Sequence, residues 1–246
     1  VLMLVLVGGV LVAPAQTASV PTNLNITLNT GAATGTETLS LPLQLLFIFT
    51  ILSLVPAIIM MTTSFVRIAI VFSFLRTALT LQQPSNQVLI ALALFLTFYI
   101  MGPTVQNLNE QVLTPLRDGT ITFERAVEVS SGEMKSFMLR YCKEKELNLF
   151  VDMSQKEIKV DQPEDLPITV VMPAFMLSEL KTGFQMGLLV LLPFLVIDMV
   201  VSSVLMALGM MMLPPPIVSL PLKIMIFVLV DGWTLLVRSL VESFRI

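Results

Sequence analysis

Four long apolar runs follow a short N-terminal one. The first, Leu41 to Met61, is interrupted once by Pro56 and passes almost without pause into TTSFVRIAIVFSFLRTALTL, which carries Arg67 and Arg76. As one helix, Leu41–Leu81 would extend roughly 60 Å, twice a bilayer core, so the chain is expected to bend near Thr62–Ser64 or to project beyond the membrane. QQPSNQ (Gln82 to Gln87) reads as a turn, and Val88 to Gly102 as the next apolar helix. The last two runs, GFQMGLLVLLPFLVIDMVVSSVLMAL and IVSLPLKIMIFVLVDGWTLLV, flank the insert GMMMLPPP. Each exceeds about 18 apolar-dominated residues, enough to cross the hydrocarbon core as a helix. Gly209 and the Pro214–Pro215–Pro216 run force a reversal between them. A helix is expected to begin at Pro173, run into the first arm and kink at Pro193.

Residues 106–165 differ in kind. They hold 12 acids and 8 bases, 20 of the chain's 31 charged residues, and so form a water-exposed helical subdomain. Ser130-Ser131-Gly132-Glu133 reads as a capping box, with Met134, Phe137, Met138 and Tyr141 on one helical face behind it. Asp152 to Asp165 is a polar connector ending in a Pro-rich stretch. At the N-terminus, residues 1–15 match a secretory h-region with an A-x-A cleavage site after Ala15. Gln16 to Ser40 is a Thr-, Asn-, Gly- and Ser-rich tail expected outside the cytoplasm. That orientation places the Arg67/Arg76 region and the Met-Pro tip inside and the charged subdomain outside.

Composition narrows the class. The chain of 246 residues is 55% hydrophobic and 13% charged, with a mean hydropathy of +0.89. Soluble domains carry about 25% charged residues, so this is an integral membrane protein, with membrane lipid as its solvent. Net charge −3 without a basic run excludes a nucleic-acid footprint. No histidine and one cysteine, Cys142, remove His-dependent triads, the usual zinc sites and any intrachain disulfide. No cofactor is implied, and Cys142, in RYCKEKE, reads as an exposed thiol of no special role.

The charges inside apolar runs are the candidate functional residues, because each costs several kcal/mol at membrane depth unless paired or hydrated. With helix ends at Leu208 and Ile217, Asp198 lies about 15 Å and Lys223 about 9 Å from the reversal, a gap that a lysine stem bridges. An Asp198–Lys223 ion pair, within one hairpin or between neighbours, is expected; its role is structural pairing or conduction and gating. Arg67 and Arg76, on opposite helix faces, suggest pairing with neighbouring chains. Two intramembrane aspartates, Asp198 and Asp231, raise an aspartyl protease, but Asp231 would sit about 6 Å deeper than Asp198, neither has a Gly-x-Gly-Asp context, and Lys223 competes for Asp198. A small-solute transporter using Asp198 and Lys223 would ordinarily show a repeated half, and none is present. Met210, Met211 and Met212 are either apolar filler or, if several copies converge, a deformable constriction that blocks water and ions.

MTTSFVRIAIVFSFLRTALTLQQPSNQV, PAFMLSELKTGFQMG, DMVVSSVLMALGMMMLPPP and LPLKIMIFVLVDGW together resemble the FliP family of flagellar export-gate subunits, homologous to the R subunit of injectisome type III secretion systems. The resemblance runs from about Leu41 to the C-terminus. It implies an all-α fold of membrane-associated helical hairpins assembling into an oligomeric export gate, with a small helical periplasmic subdomain. The segments become a signal peptide (1–15), a flexible periplasmic tail (16–40), N-terminal apolar helices (41–105), a periplasmic subdomain and connector (106–172) and the C-terminal hairpin with its Met-rich loop (173–246). It further implies no catalytic activity and a pentamer in the bacterial inner membrane at the flagellar basal body. The implied partners are FliQ, FliR, FlhB and FlhA, and unfolded flagellar proteins are the cargo. Much of such a gate is raised toward the periplasm, which would account for the over-long Leu41–Leu81 segment. By the same resemblance Met210, Met211 and Met212 are the pore gasket, Glu179 and Lys181 hold subunit contacts, and Asp198 and Lys223, with Arg67 and Arg76, tune assembly or gating.

Overall fold

The computed structural model describes residues 41–80, 85–154, 163–210 and 213–244. The expected signal peptide, the tail, the first half of the QQPSNQ turn, part of the polar connector, and Met211 and Met212 lie outside them. The chain divides into two units, Val1–Gln44 and Leu45–Ile246, and the helical fold belongs to the second.

The architecture is all-α, without a strand among the described residues. Of the two expected outcomes for Leu41–Leu81, a break or one projecting rod, the chain takes the break: α1 (Leu41–Thr62) ends there and α2 (Phe65–Leu79) starts after Thr63 and Ser64. The Thr62 hydroxyl donates back to the Ile58 carbonyl at 2.9 Å, and the Thr63 hydroxyl accepts from the Phe65 amide. Such short polar side chains compete with the helical ladder and set its end. Then come α3 (Asn86–Ile100), α4 (Gly102–Leu108), a π-helical turn (Asn109–Leu113) and α5 (Thr114–Arg117). The charged region continues in α6 (Phe123–Tyr141) and α7 (Glu144–Met153), and the chain closes with α8 (Ile168–Ala207), α9 (Pro215–Leu229) and α10 (Gly232–Glu242).

Leu45–Thr62 and α8 are each long and apolar enough to cross a bilayer. Two further apolar stretches are broken: α3 meets Gly102–Arg117 at 59°, and α9 meets α10 at 62°. The second expected arm is therefore not one continuous span. Asp231 takes a left-handed backbone (φ 52°, ψ 52°) and ends the ladder there. At 40 residues α8 is about 60 Å long, so its first turns project beyond a single core of roughly 30 Å or the helix tilts strongly.

Three local expectations are corrected. Helix α6 is capped by Thr122, whose hydroxyl accepts from the Arg125 amide, eight residues before the supposed capping box. Ser130 and Ser131 lie inside the helix, and their hydroxyls donate back to the Ala126 and Glu128 carbonyls. Helix α8 starts at Ile168 behind Pro167, whose carbonyl accepts from the Val170 and Val171 amides, so Pro173 is internal. Cys142 is half-buried, not exposed.

Helix α2 is the structural centre. Arg67, Ile68, Val71, Phe72, Leu75, Ala78 and Leu79 recur at helical spacing and are all buried. They meet Leu89 and Ala93 of α3, Phe194 of α8, and Leu236 and Leu240 of α10. Close approach of α8 depends on Gly183 and Gly187. A Cβ on Gly187 would stand 2.5 Å from the Phe74 ring, and one on Gly183 3.2 Å from Ile70. This small-xxx-small pair lets two apolar helices touch at backbone distance, the usual source of helix adhesion when lipid supplies no hydrophobic drive. A second core joins Phe137 and Met138 of α6 to Leu166, Val170, Val171 and Phe175, with Met134 and Tyr141 packed on its edge, so the expected α6 face is the one that packs. By contrast α1 leaves Leu46, Phe47, Phe49 and Leu52 more than 60% exposed.

Candidate functional site

The polar groups within the apolar body gather into three clusters. In the first, the Lys223 ammonium donates to Asp198 Oδ2 at 2.7 Å and to the Ala78 carbonyl at 3.0 Å. The Ser219 hydroxyl donates to the other Asp198 oxygen at 2.6 Å. Lys223 is 1% exposed, while the Asp198 side chain keeps 32%. The expected pair thus exists, within one hairpin. Ala78 is in the last turn of α2, where helix carbonyls lack intrahelical partners and the dipole favours a cation. One ammonium therefore ties α8, α9 and the end of α2 together. Ser219 was not anticipated, although it lies one helical turn before Lys223 on the same α9 face.

The second cluster surrounds Arg67, which is 4% exposed. Its guanidinium forms a two-point pair with Glu179: Nε donates at 2.9 Å and Nη2 closes the second contact. Nη1 donates to the Ser243 hydroxyl at 2.9 Å and the Ser243 carbonyl at 3.1 Å. The guanidinium carbon lies 3.8 Å from the centre of the Phe244 ring. Tyr141 donates its hydroxyl to the Phe244 carbonyl at 2.6 Å and packs edge-on against that ring. Arg67 does not reach toward a neighbouring chain, as its placement on the helix had suggested: its partners belong to its own chain. Glu179 is fully buried here, not available at a subunit surface. Tyr141, Ser243 and Phe244 carry no sequence signal for this role, since their partners lie a hundred or more residues away.

In the third cluster Lys181 donates to Glu146 at 2.7 Å, with Lys181 46% and Glu146 4% exposed. That hydrogen bond holds the Glu146 carboxyl below its ordinary 4.5, against the opposing effect of burial. Beside it, burial pushes the Cys142 thiol from 9.0 up to about 11, and the negative charges of Glu146 and Glu179 push the same way. Arg76 is half-buried and donates to the Asn86 side chain. Met210 is exposed at the hairpin tip next to Gly209, whose φ of +74° turns the chain. Asp231 stands exposed at the α9–α10 break, whereas both Asp198 oxygens are engaged. With α10 bent by 62° from α9, Asp231 sits at the corner of the second arm and not along a straight span.

The FliP family model matches residues 48–240, which includes the hairpin tip and, apart from Ser243 and Phe244, all three clusters. The chain belongs to the FliP family. It is 48% identical over 225 residues to the flagellar biosynthetic protein FliP of Bacillus subtilis, covering 90% of this chain and 100% of that protein. The same-named protein of Caulobacter vibrioides is 51% identical over 226 residues, covering 90% and 82%. That of Pectobacterium carotovorum is 45% identical over 239 residues, covering 97% and 91%.

Proposed function

We propose that this FliP-family chain is a non-enzymatic core subunit of the flagellar protein-export gate, lining a membrane channel for unfolded flagellar proteins. The observation that carries it is the hairpin of α8 and α9. The Asp198–Lys223 charges are neutralised within the chain, and the reversal carries consecutive methionines. A pair so engaged suits a scaffold that must stay rigid in lipid better than a site that titrates or turns over substrate. The wide apolar faces of α1 and α8 suit burial against lipid or further subunits: a pentamer of this chain with FliQ and FliR, flanked by FlhB and FlhA, in the bacterial inner membrane. The charged helices α6 and α7 would then stand on the periplasmic side.

Within that reading, Met210, Met211 and Met212 from several copies converge as a gasket of flexible thioethers, sealing the resting channel against ions. Asp198 and Lys223 hold the hairpin that presents them. Lys181, half-exposed beside Glu146, is the member of the Glu179–Lys181 pair still able to face another subunit. The test is ion leak across membranes of cells expressing the complete gate, native chain against Met210→Ala, Met211→Ala and Met212→Ala combined. Raised leak with intact assembly supports a gasket; unchanged leak with intact assembly removes the methionines from the seal.

A further inference from the structure

The break between α9 and α10 is strained. Asp231 is one of two non-glycine residues with positive φ among the described residues, and it lies within an apolar stretch. Aspartate tolerates that conformation better than most side chains, yet still at a cost relative to the right-handed region, so the bend must be held. The bent form closes the Asp231 amide on the Val228 carbonyl at 3.1 Å, and the ladder resumes only at the Leu235 amide on the Asp231 carbonyl at 3.2 Å. The amides of Gly232, Trp233 and Thr234 open α10 and so lack a partner within it. A straight helix would return those three bonds and the Asp231 strain together. Gly232 is also specific to the bend, because a Cβ there would stand 2.2 Å from the Phe227 ring. In a straight helix residues 227 and 232 fall on different faces, and alanine would be welcome.

What opposes straightening sits at the far end of α10. Arg67 grips Ser243 by its hydroxyl and carbonyl and stacks on Phe244, while Tyr141 holds the Phe244 carbonyl. Leu236 and Leu240 are seated in the α2 core on the same helix. We propose that α9 and α10 form a two-position hinge at Val230–Gly232, latched bent by the clasp of Arg67 and Tyr141 on Ser243–Phe244. Opening the clasp frees the end of α10, Leu236 and Leu240 leave the α2 core with it, Asp231 returns to the right-handed region, and Pro215–Glu242 becomes one helix. Arg67 is a positioning residue in this device: it acts on α9 only through the end of α10. The hinge stands apart from the export reading, since it concerns the isolated chain.

The test is a distance between nitroxides on Ile217→Cys and Ser239→Cys, both exposed, in the full chain with Cys142→Ser, in detergent. A straight helix would separate these backbone positions by about 33 Å, and the bend shortens that by about 5 Å. The parent should show the shorter distance alone. Arg67→Gln, Phe244→Leu and Gly232→Ala should each add the longer population, and Asp231→Gly should restore the shorter one in the Arg67→Gln chain. If Arg67→Gln loses its helix content, Phe244→Leu at the chain end carries the clasp arm. Clasp variants that keep the parent distance would overturn the latch even if Gly232→Ala lengthens it. A short distance in every folded variant would overturn the hinge itself.

Discussion

Lys223 and Asp198 meet at 2.7 Å across the hairpin, but they are not equal partners: the lysine is 1% exposed and the aspartate side chain 32%. Lys223→Met leaves a carboxylate that keeps Ser219 and some water. Asp198→Asn leaves a buried ammonium without its counter-charge. Removing one partner of a buried pair costs about 3–5 kcal/mol when the charge left behind is itself buried, and replacing both members by apolar groups is often near neutral. Asp198→Asn should therefore destabilise more than Lys223→Met, and Asp198→Leu with Lys223→Met should recover most of the loss. Denaturant titration in detergent checks the order.

Contact between α2 and α8 gives a second prediction. Gly187→Ala drives a methyl into the Phe74 ring, whereas Gly183→Ala meets Ile70 at a distance that a small shift relieves. Overpacking of this kind costs about 1–3 kcal/mol. Gly187→Ala should lower the thermal midpoint clearly and Gly183→Ala less, with Phe74→Leu rescuing the first. Equal losses, or no rescue, would place the strain elsewhere.

These two contacts also show what the sequence could disclose. The Asp198–Lys223 pair was legible from helical rise along two arms and a long lysine stem, and the α1–α2 break from a segment too long for a bilayer. Phe137 and Met138 were legible because an amphipathic face on a polar helix has few readings. Gly187 against Phe74 was not, since the glycine matters through a ring more than a hundred residues away. The Arg67–Glu179 pair was hidden for the same reason, and charges on apolar helices look alike whether they face a neighbour or their own chain. Asp231 misled differently: Asp-Gly is a turn dipeptide, and the long apolar run around it hid that local signal.

Cys142 supplies a chemical prediction. Its thiol, pushed up to about 11 by burial and then by neighbouring carboxylates, is almost wholly protonated at pH 8. Thiolate is the reactive form, so two pH units of displacement imply about a hundredfold less of it than an ordinary thiol holds. Iodoacetamide labelling of the folded protein should be correspondingly slow and still accelerating at pH 10. Glu146→Gln, which removes one of the charges responsible, should speed it. Rapid labelling at pH 8 by the native chain would contradict the half-buried placement of this thiol beside Glu146 and Glu179.

The Glu146–Lys181 pair carries a pH dependence whose sign is fixed by its direction. The folded carboxyl titrates below 4.5, chiefly because Lys181 donates to it. A depressed carboxyl contributes stability above the unfolded value and loses it as pH falls through the folded one. With Lys181 about half exposed, solvent screening keeps the contribution modest, on the order of 1 kcal/mol or less. Lys181→Met should therefore destabilise the protein at pH 6, with the gap to the native chain closing as pH is lowered through 4 toward 3. Denaturant midpoints in detergent at pH 6 and pH 3 measure it. A gap that widens in acid would mean that protonated Glu146 is the form the fold prefers, and the pair would then be a consequence of packing α7 on α8, not a cause of it.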